Sequence, residues 1–237
     1  MDSDIIAMIT FRHSFDRNFK LPRLNTFLNP YSYLIARKSP ELFNKFNIYP
    51  DGIALVVFLR LFLLYKCERQ SFDMTSLARV VFESAEQQGK SVYLIGTEDR
   101  YIIEAVSNIS HMYSNLNICG FRNGFFYDQN DRSEALNDIY VMSPDIVVVG
   151  MGTPAQEQFL YDLWRIGWRG IGFTCGGFFH QSAKSLDYYP CWMDKLHLRW
   201  LYRIFDEPKL FKRYAFQYPR FIWYFTLDCI SCYLQNR

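Results

Sequence analysis

Hydrophobic and polar positions along the chain fall into two alternating kinds of run. Short apolar runs, each closed by glycine or a polar turn, occur at Ser91–Ile95, Asn117–Cys119, Asp145–Val149 and Gly170–Thr174. Continuous apolar runs of this length fit strands buried on both faces. Between them, Asp99–Met112, Arg132–Met142 and Pro154–Ile166 read as helices. Strand and helix alternating at this interval predict a parallel sheet covered on both faces, a Rossmann-like α/β fold. Upstream, Phe46–Tyr49 reads as a further strand leading into Pro50-Asp51-Gly52, and Ile53–Tyr65 reads as a buried helix. From Trp192 onward the pattern is helical, with breaks expected at Pro208 and Pro219. We therefore expect a Rossmann-like domain over 1–190 and a helical C-terminal appendage over 191–237.

Composition sharpens the picture in the appendage. The 237 residues are half hydrophobic, ample for one sizeable core, and the net charge is only +2. Residues 191–237, however, hold eight Lys/Arg against four Asp/Glu, which leaves 1–190 at −2. The same segment holds thirteen of the forty-four aromatics, so a basic, aromatic end follows a near-neutral body and points to an anionic surface such as a membrane. The alternative is an aromatic helix packed on the core with a charged outer face. No spanning helix is expected: Phe221–Leu234 is too short and contains Asp228, and Ile53–Tyr65 is short and carries Arg60. Met1–Thr10 is acidic where a secretory leader would be basic, so a cytosolic chain with reduced thiols is expected. Cys229-x-x-Cys232 has no second pair or histidine cluster nearby, which argues against zinc.

In an open parallel sheet, ligands bind beyond the carboxyl ends of the strands, which directs attention to the loops at Gly96, Gly120, Gly150 and Cys175. The most informative is Gly150-Met151-Gly152-Thr153-Pro154-Ala155-Gln156-Glu157. Two glycines permit a tight turn and close ligand approach. Thr153 fits an N-cap, Pro154 the first helical position and Gln156 the third, a capping box at a helix start suited to a phosphate. A well-capped strand-to-helix turn without a ligand has the same appearance. The loop is not a dinucleotide fingerprint, because no acidic residue ends a following strand about 20 residues on. No GxxxxGK[ST] is present.

That loop resembles the G-x-G-x-P-x-Q-E block of the WecG/TagA/CpsF glycosyltransferases, and the resemblance runs in order from about Asn25 to Tyr214. Asn29-Pro30 with Ala36-Arg37-Lys38, Pro50-Asp51-Gly52, Glu68-Arg69 with Asp73, Val92–Gly96, Ser143-Pro144-Asp145 and Cys175-Gly176-Gly177 match successive blocks. Trp192-Met193, Leu198–Arg203, Glu207-Pro208 and Lys212-Arg213-Tyr214 match the tail block. The resemblance implies sugar transfer from a nucleotide donor, usually UDP-linked, to a polyprenyl-diphosphate-linked saccharide. It further implies inversion at the anomeric carbon, no cofactor, no required metal, no nucleic-acid partner, and a tail that meets the inner membrane face. A homo-oligomer is compatible with it.

An inverting transfer needs a base for the acceptor hydroxyl, and the resemblance gives that role to Asp51. The bland reading makes Asp51 the cap of the helix at Ile53. Without a metal, charge on the departing diphosphate must be met by helix starts and cations. Donor contacts are accordingly expected from Gly150, Gly152, Thr153, Gln156, Gly176, His180, Arg203 and Arg213. Acceptor contacts are expected from Asn29, Arg69 and Gln156, although Arg69 could simply pair with Asp73. Asp2-Ser3-Asp4 is formally a DxD but sits at the terminus.

Several positions depart from the family pattern. Phe27 replaces a threonine, Phe72 a glycine, His180 an acid, Tyr188-Tyr189 the Arg-Ala before Pro190, and Arg199 a glutamate. They read as altered sugar specificity. They also motivate a second hypothesis, a catalytically weak sugar-nucleotide-binding partner in a polysaccharide synthesis complex. A nucleotide-dependent oxidoreductase on a similar sheet is disfavoured by the altered glycine pattern.

Overall fold

In a computed structural model of the chain, six parallel strands form one sheet in the order β2-β1-β6-β5-β3-β4. Residues 6, 8, 9, 24–186, 199–206, 208 and 210–235 are described. The first half runs β1 (Leu24–Leu28), α1 (Pro30–Ala36), α2 (Pro40–Phe43), β2 (Asn47–Pro50), α3 (Ile53–Leu63), α4 (Leu77–Gln87) and β3 (Ser91–Gly96). It continues through α5 (Asp99–Met112), β4 (Asn117–Arg122), α6 (Gln129–Met142), β5 (Ile146–Gly150), α7 (Ala155–Arg165), β6 (Ile171–Thr174) and α8 (Phe178–Lys184). Then come α9 (Arg199–Asp206), α10 (Leu210–Lys212), a π turn at Arg213–Gln217 and α11 (Tyr218–Gln235).

Strand alternation divides the core in two. Tyr93, Ile95, Val147 and Val149 face one layer of helices, while Val92, Leu94, Ile146 and Val148 face the other. Both faces are apolar because both are covered, which is why these strands read as unbroken hydrophobic runs. The Rossmann-like expectation holds. Strand β1 escaped the sequence reading because Asn25 and Thr26 interrupt its apolar run. Both are buried between β2 and β6, where Asn25 Nδ2 donates to the Gly172 carbonyl at 3.1 Å.

Three local expectations are corrected. Gly120 does not end its strand. β4 continues to Arg122 with a register shift opposite Val92 and Tyr93, and a Cβ at Gly120 would come within 2.6 Å of the Tyr93 ring. Pro219 does not break the helical run, which continues from Leu210 through the π turn at Arg213–Gln217 into α11; the wider turn just before it accommodates a residue without an N–H. Finally, α3 is not wholly buried. Leu55, Val56 and Leu59 face the core, but Val57, Leu61, Phe62 and the cap residue Leu64 are exposed. The Asp2–Asp4 segment, Tyr188–Pro190 and residues 191–198 lie outside the described residues.

The C-terminal helix is fastened by one buried acid. Asp228 accepts from the Tyr33 hydroxyl at 2.7 Å and from Arg37 Nε at 2.9 Å. Burial, with the adjacent carboxylate, pushes the Tyr33 phenol far above its ordinary range, so it remains a donor. Around this anchor the rings of Tyr33, Phe58, Phe221 and Phe225 interlock. Cys229 and Cys232 pack in the same apolar cluster. Replacing Asp228 by Ala leaves the Tyr33 hydroxyl and the inner side of Arg37 without their acceptor. A loss of about 3 kcal/mol of folding stability is expected, read from urea or thermal denaturation.

Candidate active site

A cleft of about 850 Å³ opens at the carboxyl ends of β1, β2, β3, β5 and β6. This is where a parallel sheet leaves strand termini and helix starts converging. Its chemistry begins at the end of β2. The Asp51 amide donates to the Leu28 carbonyl at 2.6 Å, which fixes the turn after Pro50. Gly52, with φ at 84°, is the N-cap of α3, and no side chain caps that helix. Asp51 is thus not the cap, and its carboxylate is 28 % exposed in the cleft.

Arg69 links the acids on this side. Its guanidinium lies 3.3 Å from Asp51 Oδ1 and 2.9 Å from Asp73 Oδ2, and it donates to Ser71 Oγ at 2.6 Å. Ser71 also donates to Asp73, and Thr75 donates to that carboxylate through both its amide and its hydroxyl. The simple Arg69–Asp73 pair is present, and Asp51 is drawn into it. Among the described residues no group of three or more His, Cys, Asp or Glu is gathered as a metal ion would need.

The Gly150–Glu157 loop differs from the expected capping box. The helix begins at Ala155 with Pro154 as N-cap after a cis Thr153–Pro154 bond, and no side chain caps it. Thr153 and Gln156 turn instead toward Glu157. Glu157 Oε1 accepts from Thr26 Oγ1 at 2.8 Å, Gln156 Nε2 at 3.0 Å and Thr153 Oγ1 at 3.2 Å. Thr174 Oγ1 donates to Thr26 Oγ1 at 2.9 Å, and the Gly176 amide donates to Gln156 Oε1 at 3.1 Å. One buried carboxylate therefore ties β1, the loop after β5 and the loop after β6 together. Three donors converge on Oε1, while Oε2 is buried with no hydrogen-bond partner among the described residues. Burial raises the Glu157 carboxyl above its ordinary 4.5, and these donors only partly oppose the rise.

Of the expected site residues, Asn29, Asp51, Arg69, Gly152, Thr153, Gln156, Gly176, His180 and Arg213 line the cleft. Asn29 also caps α1, its Oδ1 accepting from the Tyr31 and Ser32 amides. Gly150 does not line it. A Cβ there would meet Cys175 Sγ and the Phe179 ring at 2.8 Å, so this glycine serves packing. Arg203 belongs to α9, and its side chain lies outside the described residues. Cys175 is buried and its thiol is pushed up, which removes it as a nucleophile at neutral pH.

The sequence reading missed Thr26 and Thr174 altogether and gave Glu157 no role. Polar residues inside otherwise apolar strands were the available signal for the two threonines. It also missed Tyr101, whose ring centroid is 4.3 Å from that of His180 on the cleft wall, and Tyr31, over which the Arg213 guanidinium lies at 4.0 Å. The departures Phe27 and Phe72 prove to be neighbours. Phe27 stacks on Tyr49 at 5.3 Å and meets Phe72 at 6.2 Å, and both line the cleft.

The cleft thus combines a Rossmann-like sheet, a carboxylate at one strand end and a glycine-turned helix start at another. The chain belongs to the glycosyl transferase WecG/TagA/CpsF family, whose pattern matches residues 9–233. It is 35% identical over 205 residues to a UDP-Gal:alpha-D-GlcNAc-diphosphoundecaprenol beta-1,4-galactosyltransferase of Shigella boydii, covering 86% of each chain. It is 27% identical over 219 residues to an N-acetylglucosaminyldiphosphoundecaprenol N-acetyl-beta-D-mannosaminyltransferase of Bacillus subtilis, covering 90% of this chain and 83% of that one. A Bacillus spizizenii protein with the same enzyme name is 26% identical over 166 residues, covering 70% of this chain and 63% of its own.

The raised carboxyl gives a signed expectation. The folded state holds the Glu157 proton more tightly than the unfolded chain. Its contribution is therefore full below about 4.5 and lost as pH rises through the folded value. Glu157→Gln keeps an acceptor oxygen and cannot ionise. Denaturation midpoints at about pH 5 and about pH 8 are expected to move in the variant's favour at the higher pH. A constant difference between the two proteins would show that Glu157 ionises without cost.

Proposed function

We propose that this glycosyltransferase moves a sugar from a UDP-linked donor to a saccharide carried on polyprenyl diphosphate, with inversion and without a required metal, in surface polysaccharide synthesis. The named activities of the relatives support the substrate classes. The observation that carries the reading is that one cleft holds a partly exposed carboxylate, Asp51, together with the loop before α7 and the cation Arg213. In this mechanism the acceptor hydroxyl gives its proton to Asp51 as its oxygen bonds the anomeric carbon. The bond from that carbon to the diphosphate oxygen breaks on the opposite face, and UDP departs with the electron pair. The positive end of α7, Arg213 and, from the tail, Arg203 meet the growing phosphate charge.

Arg69 holds Asp51 from one side and so orients the base, while Asn29 and Gln156 offer hydrogen bonds to the acceptor. Gly152 and Gly176 let the backbone come close to the donor, and His180 stands where it can select the donor sugar. We assign residues 1–190 to the catalytic domain and 191–237 to an appendage that closes the cleft and meets the inner membrane face. No described helix is long and apolar enough to cross a membrane, which fits attachment at the surface.

The test is a transfer assay in EDTA with a panel of UDP-sugars and a short-chain polyprenyl-diphosphate-saccharide. Turnover is expected to survive the chelator and to fall by about 10²–10⁴-fold in Asp51→Asn, mainly in kcat. A mutant with wild-type rate would remove Asp51 as base. Donor binding without turnover by any pair would favour the weak binding-partner reading. Arg213→Ala is expected to lower kcat/KM by about tenfold or more, read in the same assay.

A further inference from the structure

Helix α3 begins at the cleft and ends in a conformation that leucine does not prefer. Its first residues, Ile53 and Ala54, line the cleft beside Gly52. Three turns on, the helix closes at Leu64, which has φ 51°, ψ 24° and is 85 % exposed. Glycine or asparagine takes this left-handed cap position at little cost, whereas a leucine there is strained and leaves its side chain in water. Leu61, 68 % exposed, and Val57 continue the same outward stripe at helical spacing. The core does not account for these residues.

Helix α11 has the same construction. Its inner stripe, Phe221, Phe225 and Asp228, is buried, and its outer stripe, Trp223, Leu227, Ile230 and Leu234, is exposed. The two helices touch through Phe58 and Phe62 against Phe225, and Phe62 is itself 45 % exposed, so the apolar surface is continuous between them. Tyr218, at the start of α11, also lines the cleft. Charge names the occupant. Between Ile53 and Cys67 there are two cations, Arg60 and Lys66, and no acid, and both cations are exposed. The one acid of α11, Asp228, is buried on Arg37, while Arg220 is exposed.

We infer that α3 and its cap Leu64 form, with the outer stripe of α11, one face that docks on an anionic phospholipid bilayer and along which the lipid chain of the acceptor leaves the cleft. This rests on the proposed transfer to a lipid-linked acceptor. An apolar stripe flanked by the exposed cations Arg60, Lys66 and Arg220, with the acid Glu68 only beyond Cys67, suits the headgroup layer, where leucine and tryptophan enter the acyl boundary and lysine and arginine meet phosphate. Since both helices start at the cleft, an acceptor diphosphate inside it can stay joined to a chain held in the membrane.

The experiment compares the wild-type chain with Leu61→Gln/Leu64→Asn in co-sedimentation with phosphatidylglycerol-containing vesicles. Turnover is measured on a short-chain soluble acceptor and on a long-chain acceptor embedded in the vesicles. The double variant is expected to lose about tenfold or more in vesicle partition and in turnover on the embedded acceptor, with turnover on the soluble acceptor unchanged. Wild-type partition by the double variant would overturn the proposal. If that variant fails to fold, Leu64→Asn alone decides, because asparagine relieves the left-handed strain; its partition must fall, and an unchanged value overturns the proposal equally. Turnover absent from the wild type on every acceptor, with partition still dependent on Leu61 and Leu64, would sink the transfer reading and uphold the docking face.

Discussion

The carboxylate of Glu157 is the constraint around which the cleft is arranged. It sits fully buried against the interior strands β1 and β6, and one oxygen receives hydroxyls from Thr26 and Thr153 and the amide of Gln156. Through Thr26 it reaches Thr174, and through Gln156 it reaches the backbone of Gly176. Strands β1 and β6 and the loops after β5 and β6 are thereby held by one group that cannot move without leaving several buried donors unsatisfied. A network of this kind is costly to break in part. It links the glycine-turned loop after β5 to the glycine pair after β6, while Glu157 Oε2 stays buried with no hydrogen-bond partner among the described residues.

The opposite wall is held by the reverse arrangement, one cation among acids. Arg69 gathers Asp51 and Asp73, and Ser71 and Thr75 complete the hydrogen bonds of Asp73. Asp73 is the better buried acid and Asp51 the one open to the cleft, so the same guanidinium has a structural partner and a chemical one. Below them Phe27, Tyr49 and Phe72 build an aromatic floor. The two phenylalanines that depart from the family pattern thus share one place in the cleft, which ties them to what the cleft accommodates.

Outside the cleft, apolar residues divide between two tasks. One stripe of α11 interlocks with α1 and α3 around the Asp228 anchor, and the other is left in water together with the far end of α3. Folding explains the first stripe, since burying those rings removes apolar surface from water. It does not explain a leucine in the left-handed region with most of its surface exposed.

The class of fold was legible in the chain alone, because continuous apolar runs alternating with helical ones have few solutions besides a covered parallel sheet. The sequence also determined the family, since many short motifs in one order are specific where each alone is weak. It singled out Asp51, Arg69, Gln156 and Arg213, all of which line the cleft. It did not reveal β1, whose buried Asn25 and Thr26 look like loop residues until their partners on β6 and α7 are known. It suggested a capping box at Thr153, whereas the tertiary structure turned those side chains to Glu157, a residue whose burial no local window reports. It read Ile53–Tyr65 as buried, and only the packing showed which half of that helix the core could cover. Periodicity and motif are local and survive in one dimension, while the partners of Asn25 and Thr26, the burial of Glu157 against Thr26 and the cover on α3 come from segments more than a hundred residues away.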